Sequence, residues 1–157
     1  MITDEEAEQV RADLAKLEAG DKTAKTYYAA VGRCRRALKR YEEQKNNAYY
    51  PMELHVVRLG DVVFTTNRFE YFLDYGIRIK ARSPAEQTFI IQLTADNNGV
   101  GTYLPTDRAV GGKGYGGGVY DNEVGPEGGQ VFVDETVKAL KDLWPRATRG
   151  GPETEKK

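Results

Sequence analysis

The stretch VVFTTNRFEYFLDYGIRIKARSPAEQTFIIQL, residues 62–93, decides the fold of this chain. It opens with a short apolar run, continues through a segment with helical periodicity, and leads into a second apolar run at TFIIQLTA, residues 88–95. Short, nearly continuous apolar runs are typical of buried strands. A strand, a helix and a strand in this order predict a parallel crossover connection, and therefore an α/β fold.

The helix predicted inside this stretch covers about residues 68–82 and ends at Ser83-Pro84, because proline disfavours helical geometry at the residue before it. Four apolar residues recur at helical spacing and predict the buried face of this helix: Phe69, Phe72, Leu73 and Ile77.

Upstream, ELHVVRLGDVVFTT predicts two strands, at 53–59 and 61–66, around a tight turn at Gly60-Asp61. An antiparallel hairpin joined to a parallel crossover makes a mixed sheet. His55 lies in the first of these strands, where a single histidine is more often packed or hydrogen-bonded than a metal ligand.

The first 46 residues predict a helical segment, with one helix at about 22–44. Its run GRCRRALKR holds five basic residues and allows two interpretations, an RNA-binding face or a solvated helix surface with acidic neighbours. Composition favours the solvated surface. Residues 51–144 predict the α/β body, and PRATRGGPETEKK, residues 145–157, predicts a disordered tail.

The bulk composition excludes several classes of protein. The chain has 157 residues with 23 basic and 24 acidic side chains, so we expect no large field that would attract nucleic acid. Its only cysteine, Cys34, excludes an internal disulfide. The acidic start MITDEEAEQV does not resemble a signal peptide, and no apolar stretch is long enough for a membrane span. As supplied, the chain is expected to be cytoplasmic.

Between Gly99 and Gly129 the chain changes character, because 11 of its 17 glycines fall in this window together with Tyr103, Tyr115 and Tyr120. A loop of this length inside a domain is usually functional or disordered. The window contains the pattern GxGxxG, but no helix is predicted directly after it, so it carries little weight as a dinucleotide site. A final helix is predicted at 128–144.

Glu70 allows two interpretations. With Asn67 as N-cap it would be the glutamate of a capping box; alternatively, it lies at the carboxyl end of a strand, where open α/β sheets bind ligands. Tyr103 could likewise pack under a turn or place its phenol in a site lined by glycines. Tyr115, surrounded by glycines, is a site-facing residue or part of a mobile loop tip.

These residues lie in two of five motifs that together resemble the C-terminal part of the neutral/alkaline non-lysosomal ceramidase catalytic region. The resemblance covers about residues 53–144 and consists of RLGDVVF, NRFEYFLDYGIRIKARSP, TFIIQL, YLPTDRAVGGKGYGGG and VGPEGGQVFVDETV. It implies a zinc-dependent amide hydrolase in which Glu70 and Tyr103 are metal ligands. It further implies that Tyr115 is a catalytic residue near the reacting carbonyl.

The zinc histidines implied by the resemblance lie upstream, whereas this chain has one histidine in a different motif. We therefore expect a fragment of a larger catalytic domain, inactive alone, whose partner is the missing N-terminal part and whose substrate is a small amide or lipid. Zinc is expected in the complete protein only. The alternative is a non-catalytic domain that binds a ligand or partner through the Gly/Tyr loop. If Glu70 and Tyr103 form a site, they should converge at one sheet edge.

Overall fold

The computed structural model describes residues 1–94 and 101–144. Within these two ranges, five helices and five strands follow one another: α1 (Asp4–Ala19), α2 (Tyr27–Glu43), β1 (Val56–Leu59), β2 (Val62–Thr66), β3 (Glu70–Tyr71), α3 (Leu73–Arg82), β4 (Gln87–Ile91), β5 (Tyr103–Leu104), α4 (Asp107–Gly111) and α5 (Pro126–Asp142).

A mixed three-stranded sheet with the order β1-β2-β4 confirms the predicted α/β fold. β1 and β2 are antiparallel, and the register that pairs Leu59 with Val62 leaves the two-residue turn at Gly60-Asp61. Gly60 has φ +62°, which glycine adopts at low cost. β2 and β4 are parallel, with Phe64 opposite Phe89, so the crossover predicted from residues 62–93 is confirmed.

One face of this sheet carries the main core. Val63 of β2 is fully buried, and α3 and α5 pack on the same side. The buried residues of this core cluster are Val63, Phe69, Tyr71, Tyr75, Ile79, Leu104, Phe132, Val133, Val137 and Leu140. Because α3 returns the chain from β2 to β4 over this face, the sheet and its crossover helix bury a common apolar surface.

A second, two-stranded parallel sheet follows directly after β2. The backbone N–H of Asn67 still donates to Ile91 in the β4 segment, at 2.9 Å. Three residues later the backbone pairs with a different segment, because the N–H of Glu70 donates to the carbonyl oxygen of Thr102 at 3.1 Å. β3 then pairs with β5.

The predicted helix start at residue 68 is wrong, and so is part of its predicted face. Residues Glu70 and Tyr71 form β3, because β5 supplies backbone partners that the local sequence does not reveal. The helix begins at Leu73. Leu73 and Ile77 are exposed, whereas Tyr75 and Ile79 of α3 are buried against α5.

The other boundaries differ by a few residues. β1 is shorter than 53–59 and β2 begins at Val62; the final helix is shifted to Pro126–Asp142. The helix predicted at 22–44 begins at Tyr27. The strand predicted at 88–95 ends at Ile91; position 95, the start of the glycine window at Gly99, and the predicted tail 145–157 lie outside the described residues.

α1 and α2 form an antiparallel helical pair with a smaller core of its own. α1 begins with a capping box, in which Thr3 and Glu6 each accept a backbone N–H from the other. Val10, Cys34 and Tyr41 are buried between the helices, and Val119 and Tyr120 of the glycine-rich segment pack against them.

The basic run in α2 has acidic neighbours, as the solvated-surface interpretation requires. Arg35 lies 2.9 Å from Glu18 of α1, and Arg33 lies 3.5 Å from Asp121. Arg40 donates to the carbonyl oxygen of Val119 at 3.2 Å. These contacts also attach the helical pair to the glycine-rich segment.

Across residues 1–94 and 101–144, no helix combines the length and the apolar character needed to cross a bilayer.

Candidate functional site

The register of β3 and β5 places Glu70 directly beside Tyr103. Successive side chains of a strand point to opposite faces. Tyr71 and Leu104, the second residue of each strand, belong to the core cluster beneath α5. Glu70 and Tyr103 therefore share the opposite face, away from that core. The convergence expected from the two sheet edges is present in the structure.

The side chains of Glu70 and Tyr103 lie close enough to interact, and this interaction raises the pKa of the Tyr103 hydroxyl. An ionised carboxylate only accepts hydrogen bonds, so in this pair the Tyr103 hydroxyl can only be the donor. Tyr115 acts on the pKa of Tyr103 in the same direction. The Tyr103 and Tyr115 rings meet edge to face, with centroids 5.3 Å apart. Three residues that are far apart in sequence thus form one chain of polar contacts.

The capping interpretation of Glu70 is wrong. Phe72 occupies the N-cap position of α3 and makes no side-chain capping bond. Asn67 instead accepts the N–H of Phe69 at 3.0 Å through its side-chain oxygen, within the turn that leads to β3. Glu70 is left on the surface with its carboxylate directed to the tyrosine pair.

The electrostatic environment holds the Tyr103 hydroxyl in its protonated form. The pKa of Tyr103 is raised above its usual value, first because of the hydrogen bond to Glu70 and then because of the hydrogen bond to Tyr115. Burial contributes less, in keeping with a ring that is only half-buried. Ionisation would place a second negative charge beside the Glu70 carboxylate.

Gly116 packs directly against the ring of Tyr103. Its φ is +74°, and a Cβ added there would lie 2.6 Å from Cγ of the Tyr103 ring. On another side the ring meets Phe72 edge to face, with centroids 6.3 Å apart. The position of Tyr103 is therefore determined by packing, whereas Tyr115 is 78% exposed and stands at the open side of the cluster.

The loop after β5 is held by local contacts. Asp74 of α3 accepts two hydrogen bonds from Arg108 of α4, at 2.8 and 3.0 Å. The N–H of Tyr103 donates to Asp121 at 3.2 Å, and Asn122 donates to Gly118 at 2.8 Å through its side chain. These bonds fix both ends of the glycine-rich segment that carries Tyr115.

Metal ligands are few in the part of the chain that the structure describes. It contains no group of three or more His, Cys, Asp or Glu side chains placed to hold one ion. His55 is exposed, and its Nδ1 lies 3.2 Å from the hydroxyl of Thr66. The two side chains at β3 and β5 thus offer two oxygen ligands and no imidazole.

A separate cavity of about 550 Å³ lies between α1, α2 and the end of the glycine-rich segment. Tyr120 and Asp121 line it on one side and Cys34 and Ala30 on the other, while Glu70, Tyr103 and Tyr115 take no part. The candidate site and this cavity are therefore different places on the molecule.

Sequence reasoning missed two residues that position the site. Phe72, expected on the helix face, packs beside Tyr103, and Gly116 lies under the same ring. The glycine density of the loop signalled close approach in general, but no local pattern identifies which glycine contacts which ring. No protein-family model, curated protein or solved structure matches this chain.

Proposed function

We propose that this chain is the C-terminal part of a ceramidase-like, zinc-dependent amide hydrolase, with Glu70 and Tyr103 as two metal ligands and Tyr115 beside the reacting carbonyl. The observation that supports this function is the convergence of these three residues: Glu70 and Tyr103 are paired in the β3–β5 register, and the Tyr103 and Tyr115 rings lie 5.3 Å apart. The motif resemblance singles out the same three positions.

The donor set fits half of a zinc site. Oxygen ligands lie about 2 Å from zinc, so two ligands of one ion are at most about 4 Å apart. The β3–β5 register places Glu70 and Tyr103 at directly neighbouring positions, as ligands of one shared ion would need to be. Catalytic zinc takes three protein ligands, so the remaining histidines must come from a polypeptide segment outside the described residues.

Each residue has a definite task in this proposal. Zinc, when bound, would polarise the amide carbonyl and make water a better nucleophile. In the metal-free chain Glu70 would accept a hydrogen bond from the Tyr103 hydroxyl. That hydroxyl would release its proton to solvent before the phenol oxygen could bind the metal. Tyr115 lies at the open side and donates a hydrogen bond to the carbonyl oxygen as negative charge develops there.

A zinc titration of the purified chain tests the ligand assignment. We expect weak binding, seen by NMR as shifts confined to Glu70, Tyr103 and Tyr115, and its loss in Glu70→Gln and Tyr103→Phe. Tyr120→Phe is the matched control, since Tyr120 is also hydrogen-bonded to a carboxylate, that of Asp13. Unchanged zinc shifts in both site variants would contradict the assignment.

Activity supplies the second test. The chain alone should not hydrolyse ceramide, and addition of a histidine-bearing upstream segment should give both retained zinc and chelator-sensitive amide hydrolysis. Ceramide turnover by the chain alone, abolished by a chelator, would show that the metal site is complete without further ligands.

The cavity beside Tyr120 favours a second candidate function, a non-catalytic ligand-binding domain that uses the Gly/Tyr loop. Its lining combines apolar residues such as Leu17 and Ala30 with polar and charged ones such as Tyr27 and Asp13, a mixture that small-molecule sites commonly show. A thermal-shift screen of small molecules, with Ala30→Trp to fill the cavity and Ala81→Trp as an exposed control on α3, tests this alternative. Stabilisation of the wild-type chain and the control, but not of Ala30→Trp, would support it.

A further inference from the structure

Small and apolar side chains form one part of the wall of the cavity between α1 and α2. Leu17 of α1 lines it, together with Ala30 and Cys34 of α2 and Ala24 of the connection between the helices, residues 20–26. Cys34 is 3% exposed and belongs to the buried core of the helical pair. The cavity therefore borders directly on that apolar core.

Two aromatic side chains form another part of the wall. Tyr27 is the first residue of α2, and Tyr120 reaches the cavity from the glycine-rich segment. Both are half-buried. The Tyr120 hydroxyl already donates to Asp13, at 2.7 Å, so its ring is the part that remains for contact with a ligand. Because aromatic rings pack well against one another, these two tyrosines favour a ligand that contains rings.

Two of the carboxylates that line the cavity are engaged by donors of the protein itself. Asp13 accepts from the side chain of Gln9 at 2.9 Å, in addition to Tyr120. Asp21 accepts the backbone N–H and the hydroxyl of Thr23, at 2.8 and 2.6 Å. The hydrogen bond from Tyr120 lowers the pKa of Asp13, and the hydroxyl of Thr23 lowers the pKa of Asp21. Both carboxyl groups are therefore ionised at neutral pH.

The other ionisable side chains of the lining take part in ion pairs. Arg33 lies 3.5 Å from Asp121, and Lys16 lies 3.7 Å from Asp13. The lining thus holds three carboxylates and two cations, an excess of one negative charge. An anionic ligand would be repelled by that excess, and a cationic ligand would have to compete with donors that the carboxylates already have. The charges of the lining therefore favour an uncharged ligand.

The volume of the cavity sets the size of that ligand. An apolar cavity of about 150 Å³ holds one benzene molecule. A cavity of about 550 Å³ that is open to solvent on one side therefore has room for two or three rings. We propose that this cavity is a binding site for an uncharged, apolar ligand of two or three rings. The proposal rests on the second candidate function described above and is independent of the zinc proposal.

Three probes with the same two-ring scaffold test the ligand class: uncharged 2-naphthol, anionic 2-naphthalenesulfonate and cationic (2-naphthyl)trimethylammonium. NMR of the alanine methyl groups should show saturable shifts with 2-naphthol that are largest at Ala24 and Ala30. We expect a dissociation constant of roughly 0.1–1 mM. Both charged probes should bind at least about tenfold more weakly. Ala81, exposed on α3, reports contacts outside the cavity.

Two substitutions that fill the cavity locate the binding. Ala30→Trp fills it from α2 and should abolish the 2-naphthol shift at the Ala24 methyl group. Ala24→Trp fills it from an exposed position in the connection, where the fold tolerates a larger side chain, and should abolish the shift at Ala30. Ala81→Trp is the matched control and should leave both shifts unchanged.

Three results would overturn the proposal. One is the absence of a saturable 2-naphthol shift at Ala24 and Ala30 in the wild-type chain, and another is a shift that persists in both filled variants. The third is a charged probe that binds as tightly as 2-naphthol and is lost on filling the cavity; this would reject the uncharged ligand class but keep the cavity as a ligand site. None of these results changes the zinc response of Glu70 and Tyr103, so failure here is distinct from failure of the zinc proposal.

Discussion

Two tyrosine–carboxylate pairs in this molecule have the same chemistry in different surroundings. Tyr120 donates to Asp13 at 2.7 Å and packs against the core of the helical pair. Tyr103 lies beside Glu70 in the β3–β5 register, next to the exposed Tyr115. The first pair attaches the glycine-rich segment to α1, whereas the second leaves its carboxylate open to solvent. The first pair lines the separate cavity between α1 and α2, whereas the second lies on the open surface beside Tyr115.

The largest effect is expected from a substitution at Gly116, the residue that packs against the Tyr103 ring. Gly116→Ala forces a left-handed conformation on a residue with a Cβ and drives that Cβ into the Tyr103 ring, so we expect a loss of about 2–4 kcal/mol in the free energy of unfolding. Chemical denaturation measures it.

Gly60→Ala is the control for this change. Gly60 has a similar φ of +62°, but a Cβ added there meets no atom within 4 Å, so the expected loss is only about 1 kcal/mol. Equal losses in the free energy of unfolding of the two variants would show that the contact between the Cβ at position 116 and the Tyr103 ring does not contribute to the destabilisation.

A pair of tyrosine variants compares the two regions directly. Tyr120→Phe removes one of two side-chain donors to Asp13, leaving Gln9, and should cost about 1–2 kcal/mol in the free energy of unfolding. Tyr103→Phe should cost less, because water can replace the lost donor at Glu70. The same denaturation experiment checks both variants. A larger loss in the free energy of unfolding for Tyr103→Phe would show that the Tyr103–Glu70 pair stabilises the fold more than the Tyr120–Asp13 pair does.

The smallest effect distinguishes the causes of two raised pKa values. The pKa of Tyr120 is raised first by burial, whereas that of Tyr103 is raised first by its hydrogen bond to Glu70. Glu70→Gln should therefore remove the largest cause of the raised pKa of Tyr103, whereas Asp13→Asn should leave the largest cause of the raised pKa of Tyr120, its burial. Titration of the tyrosine ring carbons by NMR measures both.

The same shifts fix the sign of a pH effect on stability. A folded-state pKa above the unfolded value stabilises the folded chain while the pH lies below about 10, the usual pKa of tyrosine. That contribution is lost as the pH rises through the folded-state pKa. Both pairs should therefore weaken the fold in alkaline solution, and a free energy of unfolding that rises above pH 10 would contradict this sign.

Patterns local in sequence predicted much of the fold. Glycine at a tight turn predicted the β1–β2 hairpin, and two apolar runs around a helix predicted the parallel pairing of β2 and β4. The start of α3 could not be predicted, because β3 exists only through backbone partners in β5. Helical spacing selected Leu73 and Ile77, but the core takes Tyr75 and Ile79.

The position of the candidate site was predictable from the sequence, but the contacts that support it were not. The convergence of Glu70 and Tyr103 followed from where strands of an α/β sheet end. The supporting contacts from Gly116 and Phe72 did not, since they depend on the path of a loop whose composition allows many paths. The metal and catalytic roles of the three residues remain predictions.

The pairing of β3 with β5 also sets an order of events during folding. The β1–β2 hairpin joins residues that are neighbours in sequence, and such hairpins form in about 1–10 microseconds. Glu70 and Tyr103 are more than thirty residues apart in the chain and meet only through β3 and β5. Closing so long a connection costs entropy before any contact is gained. The two groups of the candidate site are therefore expected to meet only after the β1–β2 hairpin has formed, and a chain arrested at the hairpin would hold no site.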